Sequence, residues 1–220
     1  MFDVTVTFDN GPEPSVTPRV LDVLARRGVR TTFFVIGNKL LTRDARACTE
    51  RAHAEGHWIG NHTWSHQQPL GQLNDPARVL AEIIDTDAAI GELAHPDRLF
   101  RPFGGGGAIG THLLNPVAVD LLKRERMTCV LWNAIPRDGD DPDGWADRAL
   151  AQCLSQPWSL MVVHDLPSGA MNHLEDFIDR AVKAGARFRQ DFPPECVPIH
   201  SGKIVRSIDP YVSSIEEGAE

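Results

Sequence analysis

The feature that most constrains this chain is an alternation of short apolar runs with longer helical patterns. Strands are predicted at residues 4–8, 31–35, 58–61, 99–101, 128–132, 160–163 and, more weakly, 187–189. The segments between them carry the hydrophobic spacing of amphipathic helices. Because the strands lack strict apolar–polar alternation, we expect them to be buried on both faces. The pattern predicts a parallel α/β architecture, closed as a barrel or open and doubly wound.

Capping residues mark where the predicted helices begin and end. Thr17 is a candidate N-cap with Pro18 in the first turn, and Gly28 ends that helix. Further helices are predicted at residues 43–55, 76–93, 116–125, 145–154 and 172–184. From about residue 191 the chain becomes Pro-rich and polar. We therefore expect one domain over residues 1–190 and a surface tail over residues 191–220, with disorder at its end.

Charge and hydropathy narrow the classes of function. The formal net charge of −8 argues against a nucleic-acid binder, which needs a basic face. No apolar run approaches the roughly 20 residues of a membrane helix, so no membrane partner is expected. The N-terminus lacks the basic and apolar segments of a secretory signal, which predicts a cytoplasmic protein. The four scattered cysteines are expected to be buried thiols.

Polar side chains follow almost every predicted strand. In a parallel α/β fold the carboxyl ends of the strands meet at one edge, where the active site lies. A ring of such residues is stronger support for a site than any single member. Its predicted members are Asp9, Asn10, His62, His66, Arg101, Phe103, Gly104, Asn133, Asp138, His164 and Asp165.

Two histidines have the spacing of metal ligands. On a helical turn, positions four residues apart share a face, so His62 and His66 could bind one divalent ion. The alternative is a pair of surface or capping histidines. His53 and His57 have the same spacing but flank Gly56, a predicted helix end, and are expected to be structural.

The other candidates each have a structural alternative. Asp9 precedes Gly11 and Pro12, so alone it fits a turn better than a general base. His164 ends the most apolar strand, where a core histidine is the default, but its place at the strand end favours a general acid. The four glycines at 104–107 lack the Lys-Ser/Thr of a phosphate-binding loop. They predict a loop whose bare backbone lies close to a substrate.

Taken in order, these residues resemble the motifs of the polysaccharide deacetylase family, carbohydrate esterase family 4 with its NodB homology domain. The sequence T-F-D-N-G-P at 7–12 resembles the family's T-F-D-D-G-P, and His62 to His66 resembles H-S/T-x-x-H. R-P-F-G at 101–104 is one residue shorter than R-x-P-Y-G and has Phe for Tyr. Trp132 with Asp138 and His164 with Asp165 match the last two motifs. The resemblance extends from residue 4 to about residue 188.

The resemblance implies a distorted (β/α) barrel of about seven parallel strands and a metal-dependent hydrolase that removes acetyl groups from N-acetylated sugars. It implies that Asp9 is the base and that Arg101 holds it. It implies that His164 is the acid and that Asp138 tunes it. The backbone of Phe103, next to Gly104, would bind the oxyanion. His62 and His66 would bind a divalent ion, with zinc the first expectation.

Asn10 stands where the family has a third metal ligand, an aspartate. The resemblance therefore leaves three outcomes open: weak metal binding, another ligand, or no metal. The expected substrate is a short N-acetylated saccharide or a small amide, because no long aromatic platform and no sugar-binding module are visible. The alternatives are a hydrolase of cyclic amides and a degenerate homologue that only binds ligand or metal. The oligomeric state is not predicted.

Overall fold

The computed structural model describes residues 1–214, which form six α-helices and one nine-stranded sheet. The helices are α1 (Thr17–Arg27), α2 (Arg43–Ala54), α3 (Pro76–Ile90), α4 (Pro116–Arg124), α5 (Trp145–Leu154) and α6 (Leu174–Lys183). The strands are β1 (Phe2–Asp9), β2 (Thr32–Val35), β3 (Trp58–Asn61), β4 (Leu99–Phe100), β5 (Thr128–Cys129), β6 (Trp158–His164), β7 (Ala186–Phe188), β8 (Ile199–His200) and β9 (Lys203–Ile204).

The sheet runs in the order β6-β1-β2-β3-β4-β5-β8-β9, and β7 pairs with the start of β1. The first seven strands pair in parallel, whereas β8 pairs antiparallel with both β5 and β9. The segment after β5 returns to β6 through a bridge between Ala134 and Met161, so the sheet curls around on itself. The predicted α/β distorted barrel in a single domain is confirmed, with β8 and β9 as additions.

Local sequence explains most helix ends, with one correction. Gly28 ends α1 at φ 62°, a conformation that glycine adopts without strain. Asp75 caps α3 by accepting a hydrogen bond from Ala77 N at 2.9 Å. The prediction of Thr17 as N-cap of α1 was wrong, because Val16 holds that position. The Thr17 hydroxyl instead accepts a hydrogen bond from Glu13 N and donates one to Asp165.

The core lies on both sides of the sheet, as the apolar strand runs predicted. One cluster joins β1 and β6 to α1, α5 and α6 through side chains such as Phe8, Leu21 and Phe177, all at most 1% exposed. A second cluster joins α3 and α4 to the sheet around Phe100 and Leu122. Each such side chain stabilises the fold by about 1.5–3 kcal/mol.

The prediction for the cysteines is confirmed: all four are free and buried.

The segment from residue 191 to 214 is more than the predicted surface tail. Cys196 and Ile199 are buried, and β8 extends the sheet beyond β5. The sequence pattern missed these strands because each is only two residues long, too short to show a period. The predicted disorder at the end of the chain concerns residues outside the described range. Within residues 1–214, no helix has the length and apolar character needed to cross a membrane.

Candidate active site

A cleft of about 150 Å³ opens at the carboxyl ends of the parallel strands. Strand register brings the residues there together: Asp9 is paired with His164, and Asn61 is paired with Phe100. His62 and Arg101 therefore start the loops of adjacent strands. Seven predicted site residues line the cleft: Asp9, Asn10, His62, His66, Phe103, Gly104 and His164. Of the other four, Arg101 and Asp138 contact Asp9 and His164, whereas Asn133 and Asp165 do not line the cleft.

Asp9 is held in place by Arg101. Arg101 Nη1 donates to Asp9 Oδ1 at 2.8 Å and to Thr7 Oγ1 at 2.6 Å. Burial works to raise the pKa of Asp9, but the positive charge of Arg101, aided by that of His164, outweighs it and lowers this pKa. Asp9 is therefore ionised at neutral pH and free to accept a proton, so the structure places it in a hydrogen-bonded ion pair rather than in the turn-capping role considered for it.

Arg101 itself is fully buried, and its guanidinium group is held by further hydrogen bonds and by an aromatic ring. Its Nε and Nη2 donate to the carbonyl oxygens of Val130 and Leu131 at 3.2 and 3.1 Å. Its guanidinium carbon lies 4.1 Å from the ring centroid of Phe34, a favourable cation–π distance. These contacts fix the guanidinium group in one orientation. Its hydrogen bond to Asp9 therefore holds that carboxylate in a fixed position at the cleft.

Asp138 holds His164 through both carboxylate oxygens. Oδ1 lies 2.9 Å from His164 Nδ1, and Oδ2 accepts from His164 N at 2.8 Å. Burial works to lower the pKa of His164, but the hydrogen bond and charge of Asp138 outweigh it, so this pKa is raised. Because Nδ1 donates to Asp138, the ring is oriented and its protonated form is favoured. Such a histidine is suited to donate a proton.

His62 and His66 lie side by side, with ring centroids 4.7 Å apart. The reason expected from sequence was wrong, since no helix joins them: Thr63 and His66 have φ of 67° and 52°, and the segment is a loop. His62 Nδ1 donates to the Arg101 carbonyl oxygen at 2.9 Å, which leaves the lone pair on Nε2. Burial lowers the pKa of His62, and lowers that of His66 to about 3. Both rings are therefore neutral, the state in which histidine binds metal.

Asn10 completes a possible donor set for a metal ion. Its Oδ1 is buried and has no hydrogen-bond partner in the described part of the chain, a costly state for a carbonyl oxygen. Within residues 1–214, no three His, Cys, Asp or Glu side chains are arranged to hold a metal. Two neutral imidazoles and an amide oxygen do fit a divalent ion, although without the charge of a carboxylate.

Phe103 and Gly104 form one wall of the cleft. The Phe103 ring packs on His66, with centroids 3.9 Å apart. A Cβ on Gly104 would meet the Trp132 ring at 2.6 Å, so only glycine lets the loop pass this close. The backbone N–H of Phe103 donates to no other described residue. It is therefore free to bind a ligand oxygen.

The structure also separates structural residues from site residues. Asn133 accepts a hydrogen bond from Leu160 N at 2.7 Å and so connects the segment after β5 to β6. His57 is buried and accepts from Thr31 N, and burial lowers its pKa to about 4. Sequence reasoning missed His112, whose ring reaches the glycine loop, and Arg137, which lines the cleft. The positive φ of Arg137, 57°, is a signal that only the backbone carries.

Comparison with known proteins connects this geometry to a family. The sequence profile of polysaccharide deacetylases matches residues 2–131. The chain is 36% identical over 171 residues to a chitooligosaccharide deacetylase of Rhizobium leguminosarum bv. phaseoli, covering 73% of this chain and 66% of that protein. It is 33% identical over 194 residues to a chitooligosaccharide deacetylase of Sinorhizobium fredii, covering 84% of this chain and 82% of that protein. The chain thus spans about two thirds of the first relative's length.

A solved structure shares both the fold and 26% of the aligned residues. It is a family 4 acetyl xylan esterase from Clostridium thermocellum in complex with a cobalt ion, with a TM-score of 0.68. The superposition covers 86% of this chain and 87% of that one. A divalent metal ion is thus bound by a protein of the same fold.

Proposed function

This chain belongs to the polysaccharide deacetylase family, and we propose that its cleft removes the acetyl group from a short N-acetylated saccharide. As a deacetylase of this family it is a hydrolase of carbon–nitrogen bonds other than peptide bonds. The observation that carries the proposal is the facing pair of Asp9, held by Arg101, and His164, held by Asp138.

The two residues have the protonation states that amide hydrolysis needs. Asp9, with its lowered pKa, accepts a proton from the water that attacks the acetyl carbonyl. A carbon–oxygen bond forms, and the negative charge on the carbonyl oxygen is met by the free N–H of Phe103. His164, with its raised pKa, then gives a proton to the nitrogen as the carbon–nitrogen bond breaks. The products are acetate and a free amine.

A divalent ion fits the same cleft. His62, His66 and Asn10 would hold it, and it would polarise the acetyl carbonyl and lower the pKa of the attacking water. The neutral Asn10 supports weaker binding than an aspartate would give, if Asn10 stands at the position of the family's aspartate. Zinc is the ion we propose first, because two imidazoles are among its preferred ligands.

The substrate is proposed from the size of the cleft and from the relatives. The cleft of about 150 Å³ accepts an acetamido group with part of one sugar ring. Two relatives are named as chitooligosaccharide deacetylases, which favours short chains of N-acetylated sugars. The second candidate substrate is a cyclic amide, because it also contains a carbon–nitrogen amide bond that the same residues could hydrolyse.

The test is acetate release from N-acetylated tri- and tetrasaccharides, with a cyclic amide assayed beside them. Asp9→Asn should lower the rate by about 10²–10⁴-fold, the usual contribution of a general base. Asp97→Asn, at a residue that does not line the cleft, should leave the rate unchanged. Binding without turnover by the wild type, and turnover once Asn10→Asp is made, would favour instead a homologue that only binds ligand or metal.

A further inference from the structure

The four glycines at 104–107 form a shaped wall of the cleft rather than a loose connection. Gly105, Gly106 and Gly107 have φ of 55°, 89° and 83°, three successive residues in the left-handed region. Only glycine occupies such a run without strain. All four line the cleft that contains Asp9 and His164. The sequence at this place therefore fixes a particular backbone path next to the reacting groups.

Two side chains hold the loop by its carbonyl oxygens. His112 Nε2 lies 3.1 Å from the Gly104 oxygen, and Trp132 Nε1 donates to the Gly107 oxygen at 2.9 Å. Because a carbonyl oxygen only accepts, His112 must carry its proton on Nε2. The carbonyl of His112 in turn accepts from Gly71 N at 2.9 Å. His112 thus ties the glycine loop to the loop that follows β3.

Among residues 1–214, no hydrogen-bond partner is found for the backbone N–H groups of residues 103–107, which form the amide side of the same loop. With the carbonyls of Gly104 and Gly107 already bound, the five backbone amides of residues 103–107 remain as donors, against three carbonyl oxygens, those of Phe103, Gly105 and Gly106, without a partner among residues 1–214. A ligand rich in oxygen acceptors matches it, as hydroxyl and acetamido oxygens of a saccharide would.

We propose that the amides of Gly105–Gly107 form a subsite for the oxygen atoms of the saccharide beyond the reacting acetyl group, and that His112 is its positioning residue. This inference rests on the proposed function, since it assumes a saccharide in the cleft. His112 touches no reacting atom; it acts by keeping the Gly104 carbonyl bound and the following amides in place.

The first test compares two replacements of His112, a half-buried side chain. His112→Leu removes the donor, whereas His112→Gln keeps an N–H at about the position of Nε2. Calorimetric titration with the trisaccharide of N-acetylglucosamine should show about fivefold to tenfold weaker binding for His112→Leu, as for one lost hydrogen bond. His112→Gln should bind within about twofold of the wild type.

A second pair of variants tests the loop's conformation. Gly106→Ala strains a residue at φ 89°, although no atom lies within 4 Å of the added Cβ. Gly28→Ala is the matched control, because Gly28 also has a positive φ, 62°, and open space around its Cβ but lies at the end of α1 and does not line the cleft. We expect Gly106→Ala to raise KM for the trisaccharide about fivefold or more with little change in kcat, and Gly28→Ala to change neither.

The outcomes separate the two proposals. Equal trisaccharide affinity for wild type and His112→Leu, or equal loss in His112→Leu and His112→Gln, overturns the subsite. Failure of the wild type to bind the trisaccharide overturns it as well. Saccharide binding with the expected pattern but without any acetate release supports the subsite and contradicts the proposed hydrolysis.

Discussion

Asp9 and Arg101 form an ion pair at 2.8 Å in which the arginine is wholly buried and the aspartate side chain is 5% exposed. Two charges removed from water are stable only when they are paired and their remaining hydrogen bonds are made. Arg101 meets this condition with four acceptors on two different segments: Thr7 and Asp9 of β1, and Val130 and Leu131 after β5. The pair therefore serves both the fold and the site.

Removal of Arg101 is predicted to destabilise the protein strongly. Arg101→Met keeps much of the volume but leaves the Asp9 carboxylate buried without its partner. The free energy of unfolding should fall by about 3–5 kcal/mol, measured by urea denaturation. Arg26→Met breaks an exposed pair with Glu175 and should leave the free energy of unfolding nearly unchanged, because water and salt screen this pair. Equal stability of the two variants would contradict this account.

Replacement of Asp138 is predicted to change the titration of His164. Without the hydrogen bond and charge of Asp138, burial would dominate and the pKa of His164 would fall below its ordinary value. If His164 donates a proton, the alkaline decline of kcat/KM should move to lower pH in Asp138→Asn. An NMR titration of the imidazole measures the shift directly. Asp140→Asn, a neighbouring exposed carboxylate, serves as the control; equal titration curves would refute the role of Asp138.

Asp165 is predicted to make stability depend on pH. Its side chain is buried, one oxygen lacks a partner among the described residues, and burial raises its pKa to about 7. The folded state thus holds this proton more tightly than the unfolded state, so stability falls as pH rises from about 4 to 7.

Asp165→Asn has no proton to lose and keeps an acceptor for Thr17. It should match the wild type near pH 4 and exceed it at pH 8, by about 4 kcal/mol at most. Unfolding by urea at both pH values measures this difference, with exposed Asp143→Asn as the control. A constant difference between wild type and Asp165→Asn at the two pH values would show that Asp165 does not titrate in this range.

Asn10→Asp is predicted to strengthen the binding of a divalent ion. The substitution places a negative charge near two neutral imidazoles. It does so at the position of Asn10 Oδ1, a buried oxygen that has no hydrogen-bond partner among the described residues. Calorimetry with zinc or cobalt should give at least about tenfold tighter binding than the wild type. His62→Ala, made in both backgrounds, should abolish it. Unchanged affinity in Asn10→Asp would place the metal, if any, away from Asn10.

Much of the site could be predicted from the sequence because parallel strands bring their carboxyl ends together. Asp9, His62, Arg101 and His164 each follow an apolar run, so the topology alone predicts that they meet. The side-chain contacts that hold these residues could not be predicted from the sequence. Whether Asp9 caps a turn or pairs with Arg101 depends on a side chain 92 positions away.

Other features depend on backbone conformation, which no hydrophobic pattern reports. His62 and His66 meet through a loop with positive φ values and not through a helical turn. His112 reaches the glycine loop from a segment without regular structure. The strands β8 and β9 are too short to leave a period in the sequence. In each case tertiary contacts, rather than local propensity, determine the structure.

The central claim is that Asp9 and His164 together hydrolyse an N-acetyl group. Mass spectrometry of the tetrasaccharide of N-acetylglucosamine after incubation with enzyme tests it most directly. The account predicts loss of acetyl groups with the wild type, and intact tetrasaccharide with Asp9→Asn and with His164→Ala at equal enzyme concentration. Deacetylation that continues at the wild-type rate in both variants would contradict it.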